Sequence, residues 1–169
     1  MKKKIIVAIT GHRDMVETEE LREKISVFFE DLIEKSKELI LLSPLADGAD
    51  RFVAKIFLEK KKTYENLKLF VPMPFELERY LEDFDEASKQ EFVELGEHAE
   101  QGFSVSADPK TAYLDVGRYV VDESDILLAL WDGTFNGKVG GTGDVVNYAR
   151  KRKRKVVHFL CEREEALVK

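Results

Sequence analysis

The sequence holds a single cysteine, Cys161, so neither a disulfide within the chain nor a zinc cluster of cysteines is available to it. No apolar run approaches the roughly 20 residues that a membrane span needs, and Met1-Lys2-Lys3-Lys4 passes straight into a strand-like segment. No membrane association and a cytoplasmic location are therefore expected. Excess positive charge is also missing: 27 Lys and Arg stand against 33 Asp and Glu, a net charge of −6. That balance argues against a surface adapted as a whole to a polyanion and leaves only a local basic face open. Two nucleotide signatures are absent as well. No G-x-G-x-x-G follows the first apolar run and no G-x-x-x-x-G-K-[ST] occurs, which disfavours conventional dehydrogenase and kinase chemistry.

What remains is an ordinary globular composition, 44% hydrophobic and 36% charged over 169 residues. That length suits one packed core and is short for two, so residues 1–169 read as a single domain. Ile5-Ile6-Val7-Ala8-Ile9, closed by Thr10-Gly11, is a continuous apolar run of the kind shown by a strand buried on both faces. A helix is expected after it, capped by Asp14 with Glu17 three residues on, and carrying Leu21, Ile25, Phe28, Phe29, Leu32 and Ile33 at helical spacing. The unit recurs as Leu39-Ile40-Leu41-Leu42, a turn-rich Ser43 to Gly48, and a helix with Ala49, Phe52, Val53, Ile56 and Phe57. Leu67 to Val71 is a third strand. Residues 72–102 are less regular and predict one or two helices. Phe103-Ser104-Val105 predicts a short strand, and Asp108-Pro109 a helix start with an acceptor at the cap and proline at the first position. Ile126 to Leu130 is a fifth strand, Thr142 to about Lys151 a helix, and Val156 to Leu160 the last strand. Strands separated by helices of this length imply an α/β fold with right-handed parallel crossovers.

In an open parallel sheet, ligands bind outside the carboxyl ends of the strands, where the connections diverge. Three glycine-bearing loops leave such ends. In Thr10-Gly11-His12-Arg13-Asp14, glycine permits close backbone approach and Arg13 offers a permanently charged fork suited to phosphate. Ser43 to Asp50 places a hydroxyl, Gly48 and the carboxylates of Asp47 and Asp50 at a helix amino terminus, which either receives an anion or is capped by those two residues. Gly140-Gly141-Thr142-Gly143-Asp144 opens another helix, and its backbone N–H groups either form a nest for phosphate oxygens or make a plain glycine turn.

At these loops the chain resembles a known superfamily. Ala8-Ile9-Thr10-Gly11-His12-Arg13 is similar to the strand, glycine and arginine start of the DNA-processing protein A family. Ser43-Pro44-Leu45-Ala46-Asp47-Gly48-Ala49-Asp50 resembles its S-G-L-A-x-G-I-D element, with Pro44 and Ala49 replacing glycine and isoleucine. Ser124 to Leu130, leading to Gly140-Gly141-Thr142-Gly143, is similar to the S-D-x-x-x-A-L-P-G-G-x-G-T-x-x-E element of the lonely-guy (LOG) phosphoribohydrolases. The chain is thereby identified as a member of the SMF/DprA-LOG (SLOG) superfamily. The resemblance implies a three-layer Rossmann-like sandwich, a mostly parallel central sheet with helices on both faces. It departs where chemistry matters. Asn147 stands where the hydrolases carry their catalytic glutamate, and an amide can neither act as general base nor offset a developing oxocarbenium charge. Asp144 replaces their threonine, and Arg118 lies about two positions late for their arginine. Residues 131–139 form an insertion whose Trp131 either stacks on a base or packs.

The leading expectation is a nucleotide-binding, ligand-sensing module, with its ligand held through Thr10, Gly11, His12, Arg13, Ser43, Asp47, Gly48, Asp50, Arg118 and Gly140 to Gly143. The resemblance implies a homodimer and an effector protein as partner. The alternatives are a nucleoside 5′-monophosphate N-glycosidic hydrolase using Asp144 or Asp132, and single-stranded DNA binding through Arg150 to Lys155. Those six cations also suit a helix carboxyl terminus, where the dipole favours positive charge. Arg118 either pairs with Asp115 at i,i+3 or reaches the ligand. His12 has no second ligand at metal-binding spacing, so it is expected to hydrogen-bond within its loop, and neither a metal nor another cofactor is called for. Which nucleotide binds is left open.

Overall fold

The apolar runs of the sequence become the interior of one sheet. The computed structural model describes residues 2–164, in the order β1 (Lys2–Gly11), α1 (Glu19–Lys35), β2 (Ser36–Leu42), α2 (Ala49–Lys61), β3 (Leu67–Met73), α3 (Leu77–Leu81), α4 (Glu86–Gly96), β4 (Gln101–Ser104), α5 (Ala112–Glu123), β5 (Ile126–Trp131), α6 (Thr142–Lys151) and β6 (Lys155–Leu160). Among the described residues the six strands form one sheet, ordered β4-β3-β2-β1-β5-β6. Every adjacent pair is parallel, so the sheet expected to be mostly parallel is parallel throughout. Val7 of β1 stands opposite Leu41 of β2 and Ile126 of β5. The chain builds outward from β1 to β4 on one side and then crosses back to lay β5 and β6 on the other. The order therefore reverses between β1 and β5.

Side chains alternate across a strand, so the central strands serve two cores. Val7, Ile9, Leu128 and Leu130 pack with α1 and α2, whose Ile25, Phe29, Phe52 and Phe57 are at most 2% exposed. Ala8, Leu127, Ala129 and Trp131 pack with Val116, Val120 and Val146 of α5 and α6. Helices thus cover both faces in a three-layer, Rossmann-like α/β sandwich. Among the described residues no helix is long and apolar enough to cross a membrane. The irregular region after β3 folds as α3 and α4, joined to the first core by Tyr80, Phe84 and Phe92, whose ring centroids lie 4.9 to 5.5 Å apart.

Several local expectations are corrected. The first helix starts at Glu19, capped by the Thr18 hydroxyl, which accepts from the Leu21 N–H at 3.1 Å. Asp14 instead takes the Arg163 guanidinium at 2.8 Å, because residues 12–18 run across the sheet end with Met15 buried. Asp108 does not open α5; its carboxylate accepts from the Lys110 N–H in a turn ahead of the helix. The fourth strand is Gln101–Ser104, two residues earlier than expected. Neither Asp47 nor Asp50 caps α2, whose cap position is Gly48. Asp115 accepts from the hydroxyls of Ser106 and Thr111 rather than pairing with Arg118. In the basic run, Arg152 reaches Asp122 at 3.1 Å and Arg154 donates to the carbonyls of Val121 and Asp122, tying the α6–β6 turn to the end of α5.

Two glycines let α2 seat against the loop after β1. A Cβ on Gly11 would come within 2.3 Å of the Ala49 Cβ, and one on Gly48 within 2.3 Å of the Arg13 carbonyl oxygen, at a φ of +83°. The Ala49 N–H donates to the His12 carbonyl across this seam at 3.1 Å. Gly137 also has a positive φ, +76°, but a Cβ there meets nothing within 4 Å. We predict that Gly48→Ala costs on the order of 3 kcal/mol or more, from strain plus a backbone clash. Gly137→Ala should cost only about 1 kcal/mol, from the left-handed conformation alone. Urea unfolding of the two variants measures the difference, and equal losses would show that the seam tolerates a methyl group.

Candidate functional site

A cleft of about 800 Å3 opens at the carboxyl ends of β1 and β5, where the strand order reverses. Thr10, Gly11, His12 and Arg13 of the first loop line it, together with Asp50 of α2 and the Gly140-Gly141-Thr142-Gly143 segment that begins α6. The remaining candidates lie behind or beside it. Ser43 is fully buried, and its hydroxyl accepts from the Leu45 N–H at 3.2 Å. Asp47 turns away to Arg51 and Ser88. Gly48 supports the first loop from beneath. Asp144 folds back so that its carboxylate accepts from the Gly140 N–H at 2.9 Å, with Arg118 at 3.6 Å. Arg118 in turn lies over the Tyr148 ring, 4.1 Å from its centroid. Asn147, at the hydrolase glutamate position, is exposed and does not line the cleft.

The glycine segment is a narrower anion receiver than its sequence suggests. Asp144 occupies the Gly140 amide, and the Gly141 amide donates to the Lys138 carbonyl at 3.2 Å. Past these, α6 starts at Thr142 with Gly141 as cap residue and no side-chain cap, so the first-turn amides and the positive dipole end face the cleft region. Two cations share the space. Arg13 lies beside the Tyr113 ring, 5.5 Å from its centroid, and Lys138 comes from the β5–α6 loop. Both are exposed, and neither is in an ion pair with a carboxylate among the described residues.

The wall around Arg13 is acidic and phenolic. Asp50 is 7% exposed, with one carboxylate oxygen accepting from the Ala46 N–H at 3.1 Å. Burial pushes its carboxyl up to about 7, against the Ala46 hydrogen bond and the charges of Arg13 and Arg51, which favour ionisation. Tyr113 donates to Asp83, and the buried Tyr80 hydroxyl donates to the Pro44 carbonyl at 2.9 Å. Tyr80, Asp83, Tyr113 and Lys138 were not among the sequence candidates. Three of them come from the region around the irregular α3–α5 stretch; only the glycines flanking Lys138 signal a loop near the site.

Between the two walls, the Asp132 backbone N–H donates to the His12 Nε2 at 3.2 Å, and the Asp132 Oδ1 lies 3.3 Å from the same nitrogen. The Asp132 carboxylate is itself held by the backbone N–H and hydroxyl of Thr134 at 2.9 and 2.8 Å. Burial lowers the His12 pKa from its ordinary value, outweighing Asp132, which raises it. Trp131 is 3% exposed and donates its indole N–H to the Thr134 carbonyl at 2.9 Å, so it packs beneath the loop rather than offering a stacking face.

A family model described as the YspA SLOG family matches residues 8–163. The chain belongs to that family. No curated protein matches it. The family match runs from within β1 to beyond β6 and takes in every cleft-lining residue named above.

The raised Asp50 carboxyl carries a pH signature. Because its folded pKa exceeds its unfolded one, the group adds stability when protonated and loses that contribution as pH rises through the interval up to about 7. Relative to Asp50→Asn, the wild-type SLOG domain should therefore lose about 2–3 kcal/mol between pH 5 and pH 8. Urea melts of both proteins at the two pH values test this. Parallel curves would mean that Asp50 ionises as an ordinary surface carboxylate.

Proposed function

We propose that the cleft binds a nucleotide or nucleotide-derived ligand by its phosphates and that the protein is a ligand-sensing module. The observation carrying this reading is the convergence of Arg13, Lys138 and the uncapped, glycine-flanked start of α6 on one cavity, in a protein whose net charge is −6. Both cations are exposed and neither forms an ion pair with a carboxylate among the described residues, so both are available to a ligand anion. The volume of about 800 Å3 suits a ligand of nucleotide size or larger. Membership of a SLOG family supports a nucleotide-related role at the coarser level. Sensing implies a second protein that reads the occupied cleft, and homodimerisation belongs to the same proposal. Calorimetry against nucleoside phosphates, ADP-ribose and cyclic nucleotides tests it. Binding should weaken with salt, and Arg13→Met or Lys138→Met should each lower affinity about tenfold. Uniform absence of binding overturns the reading.

Hydrolysis of an N-glycosidic bond is a second reading, favoured by one observation. Asp50 is a buried carboxyl lining the cleft whose pKa burial pushes up to about 7, a direction that suits a general acid for a departing base. Asp144 and Asp132 are less suited, since neither lines the cleft and both are engaged locally. Incubation with nucleoside monophosphates should then release free base, and Asp50→Asn should abolish the release.

A further inference from the structure

The wall around Arg13 holds one acceptor that the fold leaves unused. Asp83 gives one carboxylate oxygen to Arg79 at 2.8 Å and the other to the Tyr113 hydroxyl. The Tyr80 hydroxyl is spent on the Pro44 carbonyl. Asp50 differs from both. Its Oδ2 accepts from the Ala46 N–H at 3.1 Å, whereas its Oδ1 has no hydrogen-bond partner among the described residues. The residue is only 7% exposed, yet that oxygen is not sealed from solvent, so its opening is onto the cleft that Asp50 lines. An entrant with no hydrogen bond to offer there leaves a desolvated carboxyl oxygen unpaired.

Arg13 narrows what the entrant is. Arg13 and Asp50 both line the cleft and act on each other electrostatically, but no ion pair joins them among the described residues. A ligand that satisfies both presents an anionic oxygen to the guanidinium and a hydrogen-bonding group to the carboxyl, on one small scaffold. In a nucleotide, the ribose hydroxyls stand a few bonds from the 5′-phosphate. Burial raises the Asp50 pKa, so the partner must suit a carboxyl as well as a carboxylate. A hydroxyl does so, because it both donates and accepts. A phosphate oxygen only accepts, and an ammonium or amide N–H only donates.

We propose that Asp50 binds the ribose hydroxyls of the ligand and thereby selects nucleotides that carry the 2′,3′-diol. The proposal rests on the reading that Arg13, Lys138 and the start of α6 hold phosphate. Those groups supply affinity common to phosphorylated ligands. Asp50 supplies discrimination, since a ligand lacking the hydroxyls covers Oδ1 without pairing it.

Calorimetry on the full chain with AMP, 2′,3′-dideoxy-AMP and inorganic pyrophosphate tests this. The wild type should bind AMP about tenfold or more tightly than the dideoxy analogue. Asp50→Ala should weaken AMP by a similar factor and leave the dideoxy analogue nearly unchanged, bringing the ratio of the two close to one. A purely structural Asp50 would weaken both nucleotides alike and preserve the ratio, which overturns the inference. Equal affinity of the wild type for the two nucleotides overturns it as well, in a comparison that needs no variant to fold. Binding of neither nucleotide also overturns it. The phosphate reading then stands if pyrophosphate or ADP-ribose still binds, and falls if no phosphorylated compound does.

Discussion

The close seating of α2 on the loop after β1 is the constraint on which the site depends. Gly11 and Gly48 remove the two side chains that would hold the helix off, and the Ala49 N–H to His12 carbonyl bond closes the gap. With α2 drawn in, Asp50 lines the cleft from the first turn of the helix, together with Arg13 and His12 of the loop. Gly48 thus serves the ligand site without touching it. Its contribution is to backbone geometry, through a left-handed φ and an approach that no Cβ permits.

A buried arginine carries this order into the irregular half of the molecule. Arg51, one residue after Asp50, is 2% exposed; its Nε donates to the Leu45 carbonyl, and its Nη1 reaches the Ser88 carbonyl and hydroxyl, Asp47 and Glu91. Its guanidinium lies over the Phe84 ring, 4.7 Å from the centroid, and Nη2 has no hydrogen-bond partner in its buried setting. The guanidinium itself is desolvated, so these partners are what keep its charge compensated, although Asp47 and Glu91 reach it from partly exposed positions. The set pins α4 and the turn before it against α2. With Tyr80 held to Pro44, the same packing brings Asp83 and Tyr113 to the acidic wall of the cleft.

The two walls differ in kind, and the difference follows from the topology. Parallel crossovers bring helix amino termini to the carboxyl edge of the sheet, which makes that edge electropositive where α6 begins. The wall beyond β2 and β3 takes its phenols from Tyr80 of α3 and Tyr113 of α5 and its carboxylates from Asp50 of α2 and Asp83 of the turn after α3. A ligand with a phosphate at one end and hydrogen-bond donors at the other matches this polarity. His12 stands between the two, with a carboxylate behind it and cations sharing its cavity.

Much of this was legible in the sequence. The continuous apolar runs Ile5–Ile9 and Ile126–Leu130 and the spacing of Leu21, Ile25 and Phe29 mark buried strands and an amphipathic helix, because burial periodicity is a local property. The glycine-bearing loops at Gly11 and Gly140–Gly143 marked the cleft for a similar reason, since in a parallel sheet strand ends and ligand sites coincide. Which polar atoms remain for a ligand was not local. Asp144 and Asp132 look like free carboxylates in the sequence, yet one closes on Gly140 and the other on Thr134 and His12. Asp50 and Arg51 are adjacent, and only packing decides that the first lines the cleft while the second is walled in by α4. Asp83 and Tyr113, 30 residues apart, meet because α3 and α5 converge on that wall. The sequence by itself determined the strands, the helices and the edge of the sheet where a ligand belongs, since hydrophobic pattern and glycine placement act over a few residues. The tertiary structure alone decided which side chains face that ligand, because a polar group is spent or spared by neighbours distant along the chain.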